Sequence, residues 1–215
     1  MGRTAAEVVL VGVSHVAAAS QQAVRETILR EQPGVVAVEL DPGRLQALQR
    51  GGRPPTIREA GMGGALLFRL LHALQQRLGK QLGVFPGEEM LTAVQVGREQ
   101  GIPVALIDRD ARYLLQGLRS LPLKEKLSLG ALTLTGLAGV GRMDLRAPPG
   151  EEVVDLALAE LKKRLPALYR LLITDRDRHM AAQLRALAHG RKVVAVVGAG
   201  HAKGIRALLE QPPGS

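Results

Sequence analysis

His15 and His201 lie near opposite ends of the 215-residue chain, and each closes the same construction: a run of β-forming residues, a glycine, two further residues, then the histidine. The first copy reads Val8-Val9-Leu10-Val11-Gly12-Val13-Ser14-His15, and the second Val193-Val194-Ala195-Val196-Val197-Gly198-Ala199-Gly200-His201. An imidazole binds a divalent transition metal through one nitrogen while a hydrogen bond at the other fixes its orientation, and a preceding glycine lets the backbone turn tightly. Two histidines in matched contexts therefore point to metal ligation, although either alone reads as well as a structural or surface residue. His72, His179 and His189 lack that context and are expected at helix surfaces or ends.

Two other apolar runs stop at charge, Val35-Val36-Ala37-Val38-Glu39 and Val104-Ala105-Leu106-Ile107-Asp108-Arg109-Asp110. A carboxylate at such a place must be hydrated, paired or bound to a cation. Glu39 reads either as half of a rim salt bridge with Arg44, or as a metal ligand or general base with Arg44 orienting it. Asp108 reads either as the N-cap of a following helix or as part of the same cluster. Asp175-Arg176-Asp177 lies inside a helical pattern, where solvated local ion pairs are the default.

The string Gly198-Ala199-Gly200-His201-Ala202-Lys203-Gly204 only approaches a dinucleotide fingerprint, because its last glycine comes one position late and no second strand follows. Its glycines still predict a helix N-terminus whose N–H groups can hold a carboxylate or phosphate. The chain has no cysteine, hence no thiolate ligand or nucleophile. It also has no Gly-x-Ser-x-Gly elbow, Walker lysine loop or His-Glu-x-x-His.

These residues need a sheet to bring them together. Continuous Val/Ile/Leu runs are what strands buried on both faces look like, and alternation with helical patterns favours parallel pairing. The fold expected is α/β, a mainly parallel or mixed central sheet flanked by helices, with a helical insertion. Strands are predicted at 8–13, 35–39, 103–107 and 193–197, and helices at 19–31, 41–50, 57–80, 88–100, 109–120, 150–164, 165–189 and 201–210. Residues 123–142 fit either a buried helix or a hairpin. One domain over 1–210 is expected, with residues 53–100 inserted over the cleft and 211–215 as a tail. In open α/β sheets ligands bind outside the carboxyl ends of the strands, which is where His15, Glu39, Asp108 and His201 fall.

Net charge is +9, from 29 Lys and Arg against 20 Asp and Glu. The basic residues are dispersed and only 2% of the chain is aromatic, so nucleic acid is not expected as a partner. The chain enters its first strand without a leader pattern, and its longest apolar stretch, 127–140, is interrupted by Ser, Thr and Gly. A cytoplasmic location is expected.

Taken together, the motifs resemble the TraB/PrgY/GumN family and its Tiki metalloprotease relatives. The resemblance is carried by Leu10 to His15, Val38-Glu39-Leu40-Asp41-Pro42-Gly43-Arg44, Pro86-Gly87-Glu88-Glu89-Met90, Leu106 to Asp110, Asp175 to Met180 and Val196 to Ile205. It implies a divalent-metal-dependent peptidase that hydrolyses or inactivates a peptide, as in pheromone shutdown. The alternative is a non-catalytic protein that sequesters a peptide or small ligand in the same cleft. The positions carried over are His15, Glu39, Arg44, Glu89, Asp108, Arg109 and His201, with Arg176 and Asp177 in support and Ser14, Gly198 and Gly200 as substrate-binding positions. Asp175 departs from the glutamate expected there. In this scheme His15, His201 and Glu39 hold the ion, and Glu39, Arg44, Asp108 and Arg109 serve catalysis. Ligand type alone leaves Mn, Co, Fe and Zn equivalent. Many members continue into membrane helices, so membrane association is expected only through segments absent here; apolar helices of the insertion are expected to offer a homodimer face.

Overall fold

The computed structural model of the chain describes residues 7–13, 17–50, 88–129 and 151–212. Ser14, His15, His72 and the predicted helix at 57–80 lie outside them, as does 130–142 of the ambiguous stretch.

Four parallel strands, β1 (Val8–Val13), β2 (Val35–Val38), β3 (Val104–Leu106) and β4 (Val193–Gly198), form one sheet in the order β1-β4-β2-β3. The described helices are α1 (Ala17–Glu31), α2 (Pro42–Gln49), α3 (Glu88–Glu99), α4 (Ala111–Arg119), α5 (Glu151–Arg164), α6 (Pro166–Tyr169), α7 (Asp175–Leu187) and α8 (Ala199–Glu210), with residues 123–129 also helical. A π-helical turn, Arg170–Thr174, links α6 to α7. The fold is therefore α/β, and within the described strands all pairing is parallel.

Burial explains the sheet. Every residue of β2 and β4 is buried. Side chains alternate between faces along a strand, so Val36, Val38, Val194 and Val196 meet Val24 and Ile28 of α1 and Met90, Ala93 and Val94 of α3 on one side. Val35, Ala37, Val193, Ala195 and Val197 meet Met180, Ala181 and Leu184 of α7 and Ile205 of α8 on the other. α3, at the end of the span 53–100, thus covers a face of the sheet. A satellite core gathers Leu114, Leu121, Leu165, Leu168, Leu171, Leu172 and Ile173.

The chain reverses direction after β3 and places β4 between β1 and β2. α2, after β2, sends Leu45 and Leu48 to the first face, whereas α8, after β4, sends Ile205 to the second. Helices leaving on opposite faces open a crevice at the carboxyl ends of those two strands.

Local chemistry sets the element ends. Asp41 caps α2, its Oδ1 accepting from Gly43 N at 2.9 Å and Arg44 N at 3.2 Å, with Pro42 in the first turn. Gly101, at φ +66°, ends α3, where Ile102 N donates back to Gly97 O at 2.8 Å. Asp110, not Asp108, caps α4 through Arg112 N at 2.7 Å. Asp108 is thereby left for other partners.

Candidate functional site

Backbone pairing continues past the strands. Glu39 N donates to Val196 O at 3.1 Å, and Asp108 N to Leu40 O at 3.2 Å. Glu39 and Asp108 are therefore held side by side at the sheet's carboxyl edge. Residue 39 follows 35 and 37 on the second face, which aims its side chain toward the starts of α7 and α8.

Arg176, one residue into α7, fills the space between them and is fully buried. Its Nε donates to Asp108 Oδ1 at 3.0 Å and its Nη2 to Asp108 Oδ2 at 2.7 Å, a two-pronged pair. The same Nη2 donates to Glu39 Oε1. Its Nη1 contacts Leu172 O at 3.2 Å and His201 Nε2 at 2.9 Å. A guanidinium has no acceptor, so His201 Nε2 must accept and Nδ1 must carry the proton, which it donates to Asp177 Oδ1 at 2.6 Å. His201 thus turns an unprotonated Nε2 toward Arg176, oriented from behind by a carboxylate, 3.4 Å from Glu39 Oε1.

The remaining contacts immobilise this core. Glu39 Oε2 accepts from Gly198 N at 2.7 Å, so the helix N–H group expected to face a substrate anion holds the chain's own carboxylate. Gly200 is buried in the first turn of α8. Arg44 does not pair with Glu39; its Nη1 reaches Asp108 Oδ2 at 2.7 Å and its Nε reaches Asp41 Oδ2 at 3.0 Å. The sequence places Arg44 near enough to Glu39, but Arg176 takes that position from the second face. Arg109 N donates to Asp108 Oδ1 at 2.7 Å while its guanidinium lies over Tyr113, 4.1 Å from the ring centre. Glu89 is buried in the first turn of α3.

Burial drives the Asp108 carboxyl upward, yet the Arg176 and Arg44 charges and the hydrogen bonds from Arg176 and Arg109 more than reverse this and hold it well below the usual carboxylate range. Burial likewise opposes charge on Arg176, and Asp108 and Glu39 overcome it. Asp177 moves the other way: burial raises it, with Glu39 adding to the rise against the pull of His201. Three carboxylates, Glu39, Asp41 and Asp108, are tied to two guanidiniums, Arg44 and Arg176, and a fourth, Asp177, to His201, so with all of the carboxylates ionised and His201 neutral the network carries excess negative charge. His201 Nε2 and Glu39 Oε1 are two donors aimed at one region. Among the described residues no group of three or more His, Asp and Glu is placed to hold a metal ion, and His15 lies outside them.

Fold and site define a class: a helix-covered parallel α/β domain with a buried arginine, carboxylate and histidine network outside the carboxyl ends of its strands. The chain belongs to the TraB/PrgY/gumN family, whose model matches residues 2–212. An uncharacterized protein of Methanocaldococcus jannaschii is 30% identical over 219 residues, covering 95% of this chain and 54% of its own length. The TraB domain-containing protein of Bos taurus is 28% identical over 232 residues, with 92% and 61% covered, and that of Homo sapiens is 26% identical over 239. The chain therefore spans only 54% to 61% of the length of these relatives.

Proposed function

We propose that the crevice at the ends of β2, β3 and β4 hydrolyses a peptide with the help of a divalent transition metal held by His201, Glu39 and His15. The observation that carries this reading is the proximity of an unprotonated His201 Nε2, backed by Asp177 and now accepting from Arg176, to Glu39 Oε1 at 3.4 Å. Two neighbouring ligands of one small ion, each about 2.0–2.2 Å from it in tetrahedral geometry, are about that far apart. The excess of carboxylates fits a dication, and the donors fit Mn, Co, Fe or Zn alike. When bound, such an ion supplies Lewis-acid chemistry, acidifying water and polarising a carbonyl.

The chain's own residues supply the rest. Asp177 keeps the proton on Nδ1, so that Nε2 stays a donor of electrons. Arg176 would give up His201 Nε2 and Glu39 Oε1 to an ion held there and would keep Asp108, already bonded to two of its nitrogens. Arg44 braces Asp108 from the solvent side and Asp41 braces Arg44, which fixes the sheet edge that carries Glu39. In this reading the domain works in the cytoplasm, and its partner is a peptide.

Elemental analysis of protein purified without a chelator or histidine tag, beside His15→Ala and His201→Ala, tests the assignment. Near-stoichiometric metal that is lost in both folded variants, together with metal-dependent cleavage of a peptide library, is expected. No metal after incubation with Mn²⁺, Co²⁺ and Zn²⁺ sinks it. A second reading, a cleft that sequesters a peptide without cleaving it, draws on Arg176, whose guanidinium already bonds to both donors. It requires saturable peptide binding that is indifferent to metal and gives no turnover.

A further inference from the structure

Arg109 stands apart from the other two arginines of the site. Arg176 and Arg44 each bond to two carboxylates. The Nε of Arg109 is buried without a hydrogen-bond partner, and among the described residues no carboxylate pairs with its guanidinium. A buried donor left unmade is costly, so such a group is a place where something binds.

Its surroundings define what that is. The guanidinium lies over the Tyr113 ring, and the Tyr113 hydroxyl is anchored by a 2.9 Å hydrogen bond to Asp175 Oδ2. A stacked guanidinium keeps its N–H groups in the plane, with Nε and one Nη forming an edge that matches the two oxygens of a carboxylate. Burial, with the Arg109 charge adding to it against the pull of Asp108, lowers the His179 imidazole. Adjacent Cα atoms are about 3.8 Å apart, so the anchor of this fork sits one residue from Asp108 and the cluster it joins.

We infer that Arg109 receives the C-terminal carboxylate of the peptide through its Nε edge, so that the site acts at the carboxyl end of its substrate. This rests on the peptide reading above. Arg109 is then a specificity residue, and the pocket selects free acids over amides.

The test uses the whole chain and two N-acetylated random pentapeptide libraries lacking Asp and Glu, one ending in a free acid and one in an amide. Binding is read by retention and mass spectrometry, for wild type, Arg109→Met and Arg109→Lys, with thermal midpoints confirming folding. The expected result is a preference of about tenfold for free acids in wild type, as one charge-assisted hydrogen bond would give, lost in Arg109→Met and partly kept in Arg109→Lys. Equal retention of acid and amide by wild type overturns the inference, as does a preference that survives in Arg109→Met. A third, amide-ended library that contains Asp and Glu is run beside them, and its retention equal to that of the free acids overturns the inference too, because the carboxylate is then a side chain. Cleavage is scored separately: cleavage without acid preference removes only the role of Arg109, and acid preference without cleavage removes only the hydrolytic reading.

Discussion

Asp177 occupies the space that Gly204 leaves open on the facing side of α8. A β-carbon at 204 would overlap Asp177 Oδ2, the oxygen beside the one that accepts from His201. The orientation of the imidazole therefore depends on a missing side chain on another turn of its own helix. Gly204→Ala should cost about 1–3 kcal/mol, the usual range for overpacking a tight contact. In an Asp177→Ala background the same change should cost much less, and urea unfolding of the four proteins in a double-mutant cycle measures the difference. Equal costs in both backgrounds would show that the two residues do not constrain each other.

Arg176 and Arg44 both bind Asp108, but they should differ in consequence. Arg176→Met leaves Glu39 with buried, uncompensated charge and Asp108 with Arg44 alone, and should destabilise the fold by about 3–5 kcal/mol. Arg44, whose side chain is 12% exposed, should cost clearly less on replacement by Met because water reaches its position. Denaturant midpoints rank the two, and the reverse order would contradict the network as drawn.

Acid should loosen the domain through Asp108. Its folded carboxyl titrates below the unfolded value, so the stability it contributes is fully present above the ordinary carboxylate pKa of about 4 and is lost as pH falls through the lower folded value. Asp177 has the opposite sign: raised in the fold, it favours the protonated form, and its contribution fades as pH rises past the ordinary range toward the raised value. Thermal midpoints against pH should flatten on the acid side in Asp108→Asn and steepen in Asp177→Asn.

Glu125 accepts from Ala167 N and Leu168 N, both at 2.9 Å, and so caps α6 from about forty residues away. Glu125→Ala strands two N–H groups, one of them buried, and should cost about 1–3 kcal/mol. Hydrogen exchange at Ala167 and Leu168 should quicken ahead of the sheet amides; unchanged protection there would remove the cap from the account.

The strands were legible because they write themselves as unbroken apolar runs, which the full burial of β2 and β4 explains and which the half-buried edges β1 and β3 share, and that pattern also located Glu39, Asp108 and His201. Arg176 was not read from its own pattern, since charge on a helix is ordinarily solvated; the family resemblance brought it in. A signal did exist. Leu172, Arg176, Met180 and Leu184 follow one another at intervals of four, so Arg176 stands in a stripe whose other members are buried. The π-helical turn had no such signal, and the helix predicted over 165–189 is interrupted at Arg170–Thr174. Partners separated by 137 residues, such as Arg176 and Glu39, follow from strand order, and strand order is not written in local periodicity.

The central place of β4 also sets a timetable. β1 and β2 flank a gap until residues 193–198 arrive, because their shared neighbour is synthesised after the other three described strands. Until then Glu39 lacks the Gly198 N–H, His201 is not yet made, and two strand edges stay open to wrong pairing. The sheet and the site are thus completed in one late event, with a slow, non-local closure as its kinetic mark. A nascent chain caught short of β4 carries neither, which makes the finished crevice a readout of correct closure of the sheet.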